Sequence, residues 1–225
     1  MTAAVANALL TGNDVTTILQ KYGRKYTDRG YGGRFLDWLD SRQPKPYYSF
    51  GNGAAMRVSS VGWLANSKEE VKELSKKVTE VTHNHPEGLK GAEVTAMCIY
   101  LARHKASKEE IKEYASKYYN INFNYEDLVK HYEFNETCQD SVPQAIYCFL
   151  ISNNFEDCLR TVISIGGDSD TLGAIACSIA EAYYGIPKEI KEMVLNYFND
   201  EDKEWLLKPL NEVYKRCGYD NYIGL

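Results

Sequence analysis

Gly166-Gly167-Asp168-Ser169-Asp170-Thr171 couples two chain-reversing glycines to a close pair of carboxylates. The glycines let the backbone turn sharply and approach a ligand closely. Leu172, Ile175, Ala176, Ile179, Ala180 and Tyr183 follow at helical spacing, which predicts that Asp168, Asp170 and Thr171 stand at a helix N-terminus. Their side-chain oxygens are hard donors that suit Mg²⁺, with Mn²⁺ second, and suit Zn²⁺ poorly. An aspartate or serine before an apolar helix also serves as an N-cap, and acid in the first turn offsets the helix dipole. Capping needs one oxygen, however, and a second carboxylate two residues on adds repulsion unless a cation or solvent screens it. Both readings stand at this point.

Two other stretches carry polar groups at element boundaries. Gly51-Asn52-Gly53 permits positive φ and offers bare backbone N–H groups, and Ala54-Ala55-Met56-Arg57 can open a helix behind them. Those N–H groups suit an anion; a plain Asn-Gly turn between aromatic anchors is the other reading. His83-Asn84-His85 lacks a third ligand at useful spacing for zinc. A histidine capping the preceding helix, or one touching a substrate, fits better. Arg29-Gly30-Tyr31-Gly32-Gly33-Arg34 reads as a flexible connector on its own.

The elements that must hold these groups are helices. Apolar periodicity predicts helices at 1–10, from an Asn13-Asp14 cap to about Tyr22, at 35–39, 67–82, 86–101, 107–118, 142–150, 157–164, 172–183, 188–197 and 201–216. Ser67 with Glu70 forms a capping-box pattern, and Ser141 caps the helix that carries Pro143. Gly91, Ala92 and Ala96 suggest close helix packing. Residues 119–136 are polar, aromatic and poorly periodic. No strand alternation and no internal repeat occurs, so the pattern predicts an all-α single domain with its polar motifs at one set of helix ends.

Composition narrows the partners. The net charge of −5 comes without a basic, aromatic-studded stripe, which argues against nucleic acid. No apolar run approaches membrane-spanning length, and the first residues lack the basic flank of a signal peptide. The six cysteines form no Cys-x-x-Cys pair and fall on apolar faces, as free thiols in the cytoplasm would.

In this order, Gly51-Asn52-Gly53-Ala54-Ala55-Met56-Arg57, Thr82-His83-Asn84-His85-Pro86-Glu87-Gly88 and Gly166-Gly167-Asp168-Ser169-Asp170-Thr171 resemble the ADP-ribosylglycohydrolase family. Ser59-Ser60-Val61-Gly62-Trp63 and Ser141-Val142-Pro143-Gln144-Ala145-Ile146 resemble its bacterial members. The resemblance covers essentially the whole chain. It implies a single-domain orthogonal helical bundle and a hydrolase that cleaves the glycosidic bond of an ADP-ribosyl group, with arginine, serine, an acetyl ester or another acceptor. It further implies up to two Mg²⁺ or Mn²⁺ ions, with Asp168, Asp170 and Thr171 among the ligands. Gly51, Asn52, Gly53 and Met56 match the loop that holds the diphosphate and ribose, and His83 lines the same cleft. Gly166, Gly167 and Ser169 shape the cation pocket, Gly167 and Ser169 beside the substrate.

The family also carries a Thr-Asp-Asp motif just before a Met-Thr, and an acidic catalytic residue further upstream. Met1-Thr2 resembles that Met-Thr, so by resemblance both groups lie upstream of Met1 and the catalytic acid is not among these residues. The expectation is fewer than two bound cations and little hydrolysis by this chain alone. The alternatives are an inactive ADP-ribose-binding module, or a subunit whose partner supplies the missing ligands. A cut there would expose apolar surface at Val5, Leu9 and Leu10 and invite self-association.

Overall fold

The computed structural model describes residues 1–219. Its helices are α1 (Thr2–Thr11), α2 (Val15–Lys25), α3 (Gly33–Asp40), α4 (Gly53–Met56), α5 (Ser59–Leu64), α6 (Lys68–Thr79), α7 (Pro86–Arg103), α8 (Lys108–Ser116), α9 (Tyr125–His131), α10 (Val142–Ile151), α11 (Phe155–Ser164), α12 (Ser169–Tyr184), α13 (Lys188–Leu195), α14 (Asp200–Asp202) and α15 (Lys208–Arg216), with a π-helical segment, Lys203–Leu207, between the last two. Among the described residues the extended pairing is a single antiparallel bridge between Gly51 and Thr137.

Side-chain caps fix seven of the fifteen described α-helix starts. Asp14 accepts the Thr17 amide at 2.8 Å, and Ser107 and Glu110 form a reciprocal capping box. Ser67 accepts the Glu70 amide at 3.1 Å, but the Glu70 carboxylate reaches one residue further back, to the Asn66 amide. Where the periodicity misjudged an end, a specific contact decides it. The helix expected to stop near Tyr22 continues to Lys25, where the Tyr26 amide closes it on Tyr22 O; glycine at 23 admits α3, since a Cβ there would collide with Leu39. The helix expected to reach residue 82 ends at Thr79, whose carbonyl takes the amides of both Thr82 and His83.

α7 and α12 form the centre. α7 is buried from Gly88 through Ala102 on most of its faces, as a helix apolar all round must be. α4, α5, α6, α8, α10 and α12 all pack on it. Small residues set the spacing: a Cβ on Gly62 would lie 2.6 Å from Ala96 O and from Ile99 Cβ. Gly62→Ala is therefore expected to lower stability by about 1–3 kcal/mol through overpacking, read by urea denaturation.

The apolar face of α1 is covered. Val5 is fully buried, Leu9 and Leu10 are half-buried, and α2, α5 and α15 pack on this helix. The patch expected to lie open there is part of the core. All six cysteines are free thiols, four of them buried. No helix among the described residues is long and apolar enough to cross a membrane.

Candidate active site

Gly166 (φ 75°) and Gly167 (φ 64°) are both left-handed, so the chain leaves α11 and enters α12 in a reversal that L-residues resist. This delivers Asp168 to the N-cap position, where its backbone carbonyl accepts the Leu172 amide at 2.9 Å. Its carboxylate does not cap the helix. Asp168 is 8% exposed, and Oδ2 accepts a hydrogen bond from Asn52 Nδ2 at 2.8 Å. The capping alternative for Asp168 is thereby settled against.

Asn52 is held from the other side. Its amide accepts no helix-capping duty; its backbone N–H donates to Glu136 O at 2.7 Å, and Cys138 N–H donates to Phe50 O at 3.0 Å. These two bonds flank the Gly51–Thr137 bridge and join the 49–53 loop to the 135–141 loop. Besides Asp168, Nδ2 reaches Ser141 Oγ at 3.0 Å and Asn135 O at 3.2 Å. Ser141, expected to cap α10, makes no side-chain cap; its hydroxyl faces Asn52 and donates to Asn135 O. Gly51 and Gly53 do not use positive φ. They keep the space before His83 clear instead: a Cβ at either would lie 3.7 or 3.6 Å from His83 Nε2.

Burial lifts the Asp168 carboxyl above the usual carboxylate range. Hydrogen bonds from Asn52 and Thr171 oppose that rise, and the like charge of Asp170 beside it adds to it. Thr171 is buried, with its hydroxyl 3.7 Å from Met56 Sδ. Asp170 is exposed. The two aspartates stand as a pair: among the described residues no group of three or more histidines, thiols or carboxylates gathers as a metal cluster.

A cavity of about 860 Å³ opens in front of this pair. Gly51, Asn52, Gly53, Met56, His83, Asp168, Asp170 and Thr171 all line it. Ser169 and Gly167 do not. Ser169 faces a smaller apolar cleft between α11, α12 and α13, and Gly167 backs onto Tyr132, whose Cε1 would lie 2.5 Å from a Cβ there. His83 turns into the cavity, 6% exposed, while His85 caps the helix that follows it by accepting the Glu87 amide at 3.0 Å. Neither histidine caps the preceding helix with its side chain.

Periodicity missed several lining residues. Arg57 is 3% exposed and has no carboxylate partner among the described residues; Nη2 donates to Thr82 Oγ1 at 2.8 Å and Val78 O at 3.3 Å, and Nε has no partner among them. Burial lowers it to about 10, so it stays cationic at neutral pH. Arg34 donates to Tyr47 O and lies over the Tyr47 ring. Tyr22, Tyr26, Tyr31 and Phe35 wall the far side, and Phe134, 64% exposed, stands at the mouth. The glycine-rich loop 29–33 is one rim of the cavity, which its sequence alone did not indicate.

A volume near 860 Å³ admits a ligand of dinucleotide size. Its lining offers carboxylate and hydroxyl oxygens, a buried cation and aromatic rings.

Known proteins resemble this chain. Mouse ADP-ribosylhydrolase ARH3 is 26% identical over 96% of this chain and 76% of its own length. The ADP-ribosyl-(dinitrogen reductase) glycohydrolase of Rhodospirillum rubrum is 28% identical over 60% of this chain and 47% of its own. A solved structure, an ADP-ribosylglycohydrolase-related protein complex, superposes with a TM-score of 0.67 at 24% identity over 85% of this chain and 73% of that one, which establishes the same all-α fold. The ADP-ribosylglycohydrolase family model matches residues 1–221, and the chain belongs to that family.

Proposed function

We propose that the cavity binds an ADP-ribosyl group with its distal ribose at the Asp168 end, and that the chain hydrolyses the glycosidic bond of ADP-ribose conjugates with a bound Mg²⁺, or Mn²⁺, ion. The observation that carries this reading is the Asp168 carboxylate. It stands buried beside a like charge and makes no side-chain cap to the helix it precedes. Such crowding is what a cation relieves.

The residues fit one hard divalent cation. Asp168, Asp170 and Thr171 supply the donors, and water or substrate hydroxyls would complete about six. When bound, that ion orients the ribose hydroxyls and a water and stabilises negative charge. The remaining groups bind and orient. Arg57, which lines the cavity, meets the diphosphate with N–H donors and positive charge. Phe134, 64% exposed at the cavity, offers a flat face for the base.

Calorimetric titration of ADP-ribose with and without Mg²⁺ tests the proposal. Binding is expected in both conditions and about tenfold tighter with the ion, or 1.4 kcal/mol. Release of ADP-ribose from arginine-, serine- and acetyl-linked conjugates then reads the acceptor. No binding in either condition overturns the reading.

A further inference from the structure

Arg57, Thr82 and His83 form a buried relay, 3%, 0% and 6% exposed. Arg57 Nη2 donates to Thr82 Oγ1 at 2.8 Å. Thr82 Oγ1 lies 2.7 Å from His83 Nδ1 and 3.4 Å from Thr79 O. A hydroxyl has one proton to give. Thr79 O already accepts the amides of His83 at 2.9 Å and Thr82 at 3.2 Å. A distance of 3.4 Å also falls outside the roughly 2.5–3.0 Å of O–H···O bonds, whereas 2.7 Å to a ring nitrogen falls within reach of a strong one. The proton therefore goes to Nδ1. The guanidinium on the same oxygen reinforces the choice, since an oxygen that accepts from a cation becomes a stronger donor and a poorer second acceptor. With Nδ1 accepting, the ring proton of a neutral imidazole resides on Nε2.

We propose that Arg57 and Thr82 are positioning residues that lock His83 as a neutral imidazole protonated on Nε2, so that His83 offers the cavity a hydrogen-bond donor and nothing else. Nε2 is the atom that Gly51 and Gly53 leave uncovered. A donor-only histidine selects an oxygen acceptor on the ligand, a phosphate or ribose oxygen, and cannot serve as a general base toward the water or a proton donor that recharges. That ligand assignment rests on the ADP-ribose reading; the lock itself does not. The charged groups that act on His83 are Arg57 and Arg34, with the Tyr47 ring 6.0 Å away. Burial first, then the two arginines, bring its pKa down to about 3.

Long-range ¹H–¹⁵N imidazole correlations on the full chain without ligand, across about pH 5 to 8, test the lock. A His83→Asn spectrum assigns the ring among the four histidines. The expected result is a protonated Nε2, a bare Nδ1 and no titration. Thr82→Val, which keeps the shape and removes the hydroxyl, is expected to bring in the second tautomer and weaken ADP-ribose binding about tenfold; Thr82→Ser restores both. A protonated Nδ1 or a cationic ring at neutral pH in the wild type overturns the proposal. So does a Thr82→Val spectrum with the tautomer unchanged. Should Thr82→Val fail to fold, the wild-type spectrum alone decides. An Nε2–H tautomer in a chain that binds no ADP-ribose upholds the lock and removes the ligand assignment.

Discussion

Asn52→Asp is expected to lower stability by about 3 kcal/mol near pH 8 and by much less near pH 4. Asn52 gives its side-chain N–H groups to Asp168, Ser141 and Asn135 O, all inside the protein. An aspartate there replaces that donor with a second carboxylate about a hydrogen bond's length from the first. Two such groups cannot both ionise cheaply, so the folded pair retains a shared proton to higher pH than the unfolded chain does. The folded pKa is raised, so the stability that depends on that proton is present below the usual aspartate value and is lost as pH rises through the folded value. The deficit relative to wild type therefore opens from acid toward neutral pH. Urea denaturation at both ends of the range measures it. Asn52→Leu loses the same hydrogen bonds without adding charge, and its cost is expected to vary far less with pH. Equal deficits for Asn52→Asp at both pH values would sink the claim that Asp168 and residue 52 face each other.

Asp168→Asn and Asp170→Asn are expected to weaken Mg²⁺ binding by about ten- to a hundredfold each, read as loss of the Mg²⁺-induced rise in Tm. Their effects without metal differ in sign. Asp170 is exposed and pushes the Asp168 carboxyl up by like charge, so Asp170→Asn should leave metal-free stability unchanged or slightly higher. Asp168→Asn keeps an oxygen for Asn52 yet brings an amide into a pocket arranged around a carboxylate, and should lower it modestly. Retention of the full Mg²⁺ response in both variants would place any cation elsewhere.

Much of this site is legible in the chain because it is local. Two glycines, two aspartates and an apolar run lie in one stretch, and helix periodicity orients them without any tertiary knowledge. The choice between capping and ligation was not local. It depends on Asn52, which lies 116 positions away, and only the folded chain shows the Asp168 oxygen taken by that amide. Ser141 was misread for the same reason: serine before a proline-bearing helix is a fair cap, but Asn52 and Asn135 use its hydroxyl. Ser169 satisfied the motif yet lines the smaller cleft, which it shares with Asp170. α9 escaped because its seven residues bury only Leu128, too little for periodicity, although Asn124 caps it. Arg57 escaped because a lone arginine after Ala-Ala-Met carries no sign that it will be buried.

The pairing of Asn52 with Glu136 and of Phe50 with Cys138 has a consequence for how this protein can change over evolutionary time. Connecting segments usually absorb inserted or deleted residues with little penalty. Here one extra residue between Glu136 and Cys138 would slip one rung past the other and swing the Asn52 amide off its carboxylate. The stretch with the least regular structure near the cavity is thus the one whose length is least free to drift.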